Sequence, residues 1–297
     1  MAEKLTEAFS TKEEPEFIGI PEYSDIQSIS ELLVTQENIL VIIGEEVSEY
    51  SHSNIFRDFT LTFDKMREDF ENARVIMEEM RETLDQIYPN KLHFVFARLL
   101  AFSKIIDIKL SFLNMSPDGL LGRAYDEIVS LSLKNSVASK GSKEEDEEER
   151  KISDSKEFDI KEEELDIIDF FGDIRDDRKI QLNEEGKSIV VPRIYLQGES
   201  VGEFHPNLDD ITDRLRNAQV LVIAGTIPED SFLHAIIGNF IEFGIPIVEL
   251  GERPQLEVGC VYKVVGELGE ILFSLEKCIQ ESYSILSGVE ASNFYLF

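Results

Sequence analysis

The sequence is poor in cysteine, in positive charge and in long apolar runs, and each shortage excludes something. Two cysteines, Cys260 and Cys278, in 297 residues cannot build a disulfide framework and suit a reducing interior. Lys and Arg number 29 against 60 Asp and Glu, giving a net charge of −31 and a pI near 4.4. A field of that sign argues against direct nucleic-acid binding and against anionic membrane surfaces, and favours basic partners such as protein tails. No stretch reaches the roughly 18 apolar residues of a membrane span. The opening Met1–Phe9 segment has no apolar run of the kind a secretory signal needs, and is too acidic for a transit peptide. The expected compartment is therefore nuclear or cytoplasmic. No internal repeat is visible.

What is present is a chain with 42% hydrophobic residues, enough for one sizeable core or two smaller ones. The stretch that organises it is Asn38 to Asp58. Five consecutive β-prone residues, Ile39–Ile43, predict a strand buried on both faces. Gly44 falls where a tight strand-to-helix turn belongs, and small or polar residues follow it. In a doubly wound sheet such a turn presents backbone N–H groups and a helix N-terminus to an anionic ligand. An ordinary βα unit with no ligand fits the same residues.

Residues 1–23 read as a polar tail, and 25–36 as a short helix capped by Ser24-Asp25. From Phe59 to Ile87 apolar residues recur at threes and fours, as in one or two amphipathic helices. A further helix starts at Tyr88-Pro89-Asn90, with Pro89 near its first position. His93 lies on it and is read as a packed residue without chemistry. Residues 105–113 read as the next strand. Residues 134–188 form an acidic interval, with the run Lys143–Arg150 at its centre and one apolar patch around Phe170-Phe171. It is either a loop without regular structure or an acidic arm for a basic partner, anchored by those two phenylalanines. The second half of the sheet is predicted to return at 189–297, with strands at Pro192–Glu199, Ala218–Thr226 and Ile245–Gly251 and a closing helix from Gly269 to about Ile285.

Several of these stretches resemble the sirtuins, the NAD-dependent protein deacylases. Gly44, Ser48, Phe56 and Arg57 match that family's G-A-G-x-S-x-x-x-G-I-P-D-F-R, although Glu45 and Glu46 replace its Ala and second Gly. Pro89-Asn90-x-x-His93 is similar to its P-N/T-x-x-H segment. Asp118, Gly119, Leu120, Arg123 and Ala124 match T-Q-N-x-D-G-L-H-x-R-A-G, with Met115 and Ser116 at the Gln and Asn. Ile128–Ser132 takes the place of V-x-E-L-H-G, which puts Ser132 at the catalytic histidine. Pro192, Gly198 and Glu199 match the strand before the peptide loop, and Gly225-Thr226 matches G-T-S.

The resemblance implies an α/β fold: a Rossmann-like doubly wound parallel sheet of the sirtuin large-domain type. Its parts would be a tail and short helix (1–35), the first half of the sheet with a helical insertion (36–133, insertion 59–104), the acidic interval (134–188) and the second half (189–297). The acidic interval falls where sirtuins carry a four-cysteine zinc module. No cysteine occurs there, so no zinc site is expected. The implied cofactor is NAD, held by Gly44, Ser48, Phe56, Arg57, Ser116, Asp118, Gly225 and Thr226, and weakened by Glu45 and Glu46. The implied partners are basic tails or acyl-lysine peptides. A serine cannot take a proton as an imidazole near neutral pKa can, so Ser132 points to a fold with eroded chemistry. A divergent active deacylase or ADP-ribosyltransferase, and a plain scaffold, stay open as alternatives, and so does the oligomeric state.

Overall fold

The structure is a computed structural model that describes residues 25–49, 63–140, 166–181, 188–196, 198–200, 204–205, 208–227, 231–256 and 261–288. Among the described residues, five strands of five or six residues are largely buried, and they pair in parallel with helices covering both faces. In chain order they are β1 (Asn38–Ile43), β2 (Lys109–Asn114), β6 (Val220–Ala224), β7 (Ile247–Gly251) and β8 (Val261–Val265). With the short β3 (Ile167–Asp169) they form a six-stranded sheet in the order β3-β2-β1-β6-β7-β8. Every pairing is parallel: Asn38 faces Lys109, Ile39 faces Val220, Phe112 faces Ile167, Leu221 faces Ile247 and Ile247 faces Val261.

Side chains of β1 alternate between two cores. Ile39, Val41 and Ile43 face α1 (Ile26–Val34), α5 (Lys91–Ile105), α6 (Leu120–Lys140) and α9 (Leu268–Ser287). Leu40 and Ile42 face the opposite layer, with Leu215 of α7 (Leu208–Asn217) and with Leu233, Ile236, Ile237 and Phe240 of α8 (Ser231–Glu242). The doubly wound sheet predicted from sequence is thus present. Helix α1 begins where expected, with the Asp25 carboxylate accepting from Ser28 N at 2.7 Å. The chain end predicted to close the fold does so, over Leu268–Ser287.

A second, smaller body sits beside β3. Strands β4 (Gly172–Gln181) and β5 (Ser188–Ile194) pair antiparallel, Gly172 opposite Ile194. Against them lie α3 (Phe63–Glu68) and α4 (Phe70–Asp85), which hold Met66, Ala73 and Met77 against Ile180, Val191 and Leu196, and Leu84 against Ile174 and Ile194. Helices from 63–85 and strands from 172–194, far apart in the sequence, therefore build one module.

Several expectations are corrected by this arrangement. The strand read over 105–113 is Lys109–Asn114: Ile105 closes α5, and Ile106–Ile108 form the turn. Both are apolar runs, which periodicity alone cannot separate. The interval 134–188 is not structureless throughout, since α6 continues to Lys140 and both β3 and β4 lie inside it. The strand around Pro192 belongs to the small sheet. Phe170 is 1% exposed in the large core and Phe171 stacks on Tyr195 at 5.8 Å, so neither is a free anchor for a partner. The tail 1–23, the run Lys143–Arg150, Cys260, Phe56 and Arg57 lie outside the described residues.

Candidate functional site at the carboxyl edge of the sheet

In an open α/β sheet the ligand crevice forms where strand order reverses, at the carboxyl ends of the strands. Here that point lies between β1 and β6. The turn after β1 is tied to β6 by Gly44 N donating to Ala224 O at 2.9 Å. A side chain at Gly44 would overlap the carbonyl of Thr226, so only glycine allows the two turns to approach this closely. Glu46 opens α2 (Glu46–Glu49) and leans across the gap: its Oε2 lies 3.5 Å from Thr226 Oγ1 and 3.2 Å from where a Cβ on Gly225 would sit. A carboxylate thus stands between the two turns, beside the start of α2.

Ser48, the next residue of interest, is 3% exposed and meets Nε2 of His93 at 3.3 Å. Nδ1 of His93 accepts from Asn90 N at 3.1 Å, which leaves the ring proton on Nε2, donating to Ser48. Asn90 caps α5 and its Nδ2 donates to Val47 O at 2.6 Å. Ser48 is therefore held by the start of α5. The sequence reading took His93 as a packed residue, and it is 2% exposed, held by the capping box that the spacing Asn90-x-x-His93 forms.

Beyond β2, Asp118 is 1% exposed. Its Oδ2 accepts from Ser116 Oγ at 2.8 Å and its Oδ1 from Leu120 N at 2.9 Å, at the start of α6. Asn114 bridges this group to β3: its Nδ2 donates to Asp169 Oδ1 at 2.8 Å and to Ser116 O at 3.0 Å. Burial pushes the Asp169 carboxyl up to about 7, helped by the charges of Asp173 and Asp118 and opposed by the Asn114 amide and Arg175. Arg175 forks onto Asp173, with Nη2 at 2.6 Å, and packs over Gly119. Further round the edge, burial raises the Glu249 carboxyl, although it accepts from Gln255 N at 2.5 Å and Leu256 N at 3.2 Å and so pins the loop after β7.

The predicted site residues divide cleanly. Gly44, Ser48, Ser116, Asp118, Gly225 and Thr226 all lie at this edge. Ser132 does not. It is part of α6, which is unbroken from Leu120 to Lys140, and twelve residues along a helix is about 18 Å from the crevice. The strand beside β2 carries Ile167-Ile168-Asp169 and runs into Phe170-Phe171-Gly172, an aliphatic-x-acid-apolar-x-Gly run. Behind it sits His205, 4% exposed, 2.7 Å from Phe170 O and stacked on Phe170 at 5.3 Å. Burial lowers its pKa, the Phe170 carbonyl opposes that and the charge of Arg193 adds to it. Among the described residues no group of three or more His, Cys, Asp or Glu could hold a metal ion, and no helix is long and apolar enough to cross a membrane.

Solved Sir2 structures share this fold: the chain has a sirtuin-like fold, with a Rossmann-like parallel sheet as its larger part. A Sir2 homologue solved with NAD aligns over 89% of this chain and 98% of its own, with a TM-score of 0.63 and 15% identity. Sir2Af2 bound to a myristoylated histone peptide aligns over 88% and 98%, with a TM-score of 0.57 and 13% identity. A Sir2 variant solved with a p53 peptide and NAD aligns over 88% and 100%, at 0.59 and 12%. No family model and no curated protein matches the sequence.

Proposed function

We propose that this chain uses the sirtuin-like fold as a binding module whose NAD chemistry is degenerate, and that its partner is a basic, lysine-bearing protein segment. The observation that carries the reading is Glu46, whose carboxylate stands between the turns after β1 and β6. A like-charge contact at about 4 Å and an effective dielectric near 20 costs on the order of 4 kcal/mol. Even a quarter of that lowers affinity for a dinucleotide five- to tenfold. In the run Ile167–Gly172, Phe171 takes the place of the family's histidine, which supports the same conclusion, because an aromatic hydrocarbon has no proton to exchange. The net charge of −31 favours a basic partner, and the solved relatives that hold histone and p53 peptides support a peptide as its class. A nuclear or cytoplasmic location fits this reading, and imaging of the tagged chain tests it.

Calorimetric titration with NAD and with ADP-ribose tests the reading. The wild type is expected to show weak or no heat at micromolar ligand, and Glu46→Ala to bind at least fivefold more tightly. Robust nicotinamide release by the wild type, lost in Ser48→Ala or Asp118→Asn, would replace it with the second reading, an active NAD-dependent protein deacylase or ADP-ribosyltransferase. That alternative draws its support from the intact Ser48–His93 and Ser116–Asp118 pairs. If a lysine-rich peptide neither binds the protein nor competes with ADP-ribose, the partner proposal fails.

A further inference from the structure

The start of α5 carries two side chains that each work at both ends. Asn90 Oδ1 caps α5 by accepting from Leu92 N at 2.8 Å and His93 N at 3.2 Å, while its Nδ2 reaches across to Val47 O of α2 at 2.6 Å. His93 Nδ1 completes the cap by accepting from Asn90 N at 3.1 Å, while its Nε2 reaches Ser48 Oγ at 3.3 Å. Capping α5 needs only the first end of each. Aspartate or serine caps a helix as well as asparagine does, and glutamate or glutamine serves at the third position. The second ends do something that capping does not require: they hold α2.

What α2 carries into the crevice is Glu46. Its Cβ, as well as its carboxylate, lies against Gly225, 3.3 Å from where a side chain there would begin. A Cβ moves only with its backbone, so the carboxylate's place beside Thr226 depends on where α2 sits. Helix α2 is a single turn of four residues, whose own bonds run from Val47 N to Gly44 O at 3.3 Å and from Ser48 N to Glu45 O at 3.0 Å. A helix of that length has no stability of its own and takes its position from its neighbours. Val47, 1% exposed, fixes it to the large core, and the cap of α5 fixes it through Val47 O and Ser48 Oγ.

We infer that Asn90 and His93 form a latch on α2 that keeps the Glu46 carboxylate in the crevice, an autoinhibitory contact resting on the reading of Glu46 as the group that opposes a pyrophosphate. A dinucleotide is admitted when α2 is let go. Asn90 and His93 are positioning residues in this device, and neither needs to touch the ligand. Weakening a support of a binding site lowers affinity. Weakening the latch raises it, because the group that the latch holds in place is the one that opposes binding.

Asn90→Asp in the full-length chain tests this. It keeps the oxygen that caps α5 and replaces the amide that donates to Val47 O by a second carboxylate oxygen, which repels that carbonyl. Calorimetry with ADP-ribose at pH 8 should show an affinity about threefold above wild type, and below that of Glu46→Ala, since letting the carboxylate go can at most remove its effect. In a chain that already carries Glu46→Ala, the same substitution should bring no further gain. Amide exchange should quicken at Val47 and Ser48 while α5 stays protected. His93→Leu adds no charge and leaves Asn90 Oδ1 to cap α5, so it should shift affinity in the same direction even if Asn90→Asp fails to fold. The latch is overturned if both variants bind ADP-ribose no more tightly than wild type while Glu46→Ala does, an outcome that leaves the reading of Glu46 standing. It is overturned as well if the gain persists undiminished in the Glu46→Ala chain. No gain from Glu46→Ala itself would remove that reading and the latch together.

Discussion

The two bodies of this molecule are held together by different means. The large sheet is stabilised by apolar burial on both faces, with whole strands such as Leu40–Ile43 and Val220–Ala224 removed from water. Its ion pairs among the described residues sit at its margins, as where Arg98 forks onto Glu276 at 2.5 and 2.7 Å between α5 and α9, or where Asp166 bridges Lys104 and Arg214. The small module has two thin apolar clusters and a set of arginines that close what the hydrocarbon leaves open. Arg81 of α4 donates to Ile174 O at 2.7 Å, to Asp176 O at 2.9 Å and to Asp177 at 2.7 Å. Arg178 pairs with Glu199, donates to Ile194 O and lies over the Phe204 ring at 4.8 Å. A body with little core can be fixed by forked, directional bonds to backbone carbonyls, but those bonds are sensitive to the loss of one partner in a way that distributed burial is not.

The largest effect should come from the large core. Phe112 is 0% exposed and meets Phe96 edge-on at 5.7 Å. Phe112→Ala should cost about 3–5 kcal/mol in chemical denaturation and destabilise every probe together. Arg81→Met should cost about 2–3 kcal/mol, and hydrogen exchange should quicken in Gly172–Gln181 while β1 stays protected. If β1 loses protection equally, the two bodies are one cooperative unit and the contrast fails. A chelator should leave the midpoint of the small module unchanged.

Asp169 sits at the seam and gives a smaller effect with a definite sign. Its carboxyl binds a proton more tightly folded, at about 7, than unfolded, near 3.8. Stability therefore falls as pH rises through that window. Asp169→Asn should flatten the dependence and be more stable than the wild type at pH 8, by on the order of 1–2 kcal/mol, with little difference at pH 4. Smallest of all, Arg74→Ala removes an exposed i,i+3 pair with Glu71 and should shift stability by less than about 0.5 kcal/mol.

In the large sheet β1, β6 and β7 were readable because they are short runs rich in Ile and Val that end at Gly44, Gly225 and Gly251. The small module was not. Its strand Gly172–Gln181 holds Asp173, Arg175, Asp176, Asp177, Arg178 and Lys179 in one stretch, and such a run has the composition of a solvated loop. What makes it a strand is tertiary: Ile174 and Ile180 meet Leu84 and Met77 from a helix almost a hundred residues earlier. The site shows the same division. Gly44, Ser48, Asp118 and Thr226, read from local motifs, lie together at the carboxyl edge of the sheet, whereas Ser132, read from Ile-Val-x-Leu, lies within α6 and away from that edge, because such an apolar run suits a helix as well as a strand.

The join between the bodies has a consequence for how such a chain can change over generations. β3 passes into β4 through Phe170-Phe171 alone, and at Gly172, with φ 92°, any side chain would strike the carbonyl of Arg193. The module's helices come from 63–85 and its strands from 172–194, on opposite sides of β2 in the sequence. No single cut-and-paste exchange can carry the module in or out. A chimaera that imported only the strands would leave Met66, Met77 and Leu84 facing unfamiliar neighbours, so an exchange of this region that kept its packing would have to replace helix and strand pieces together.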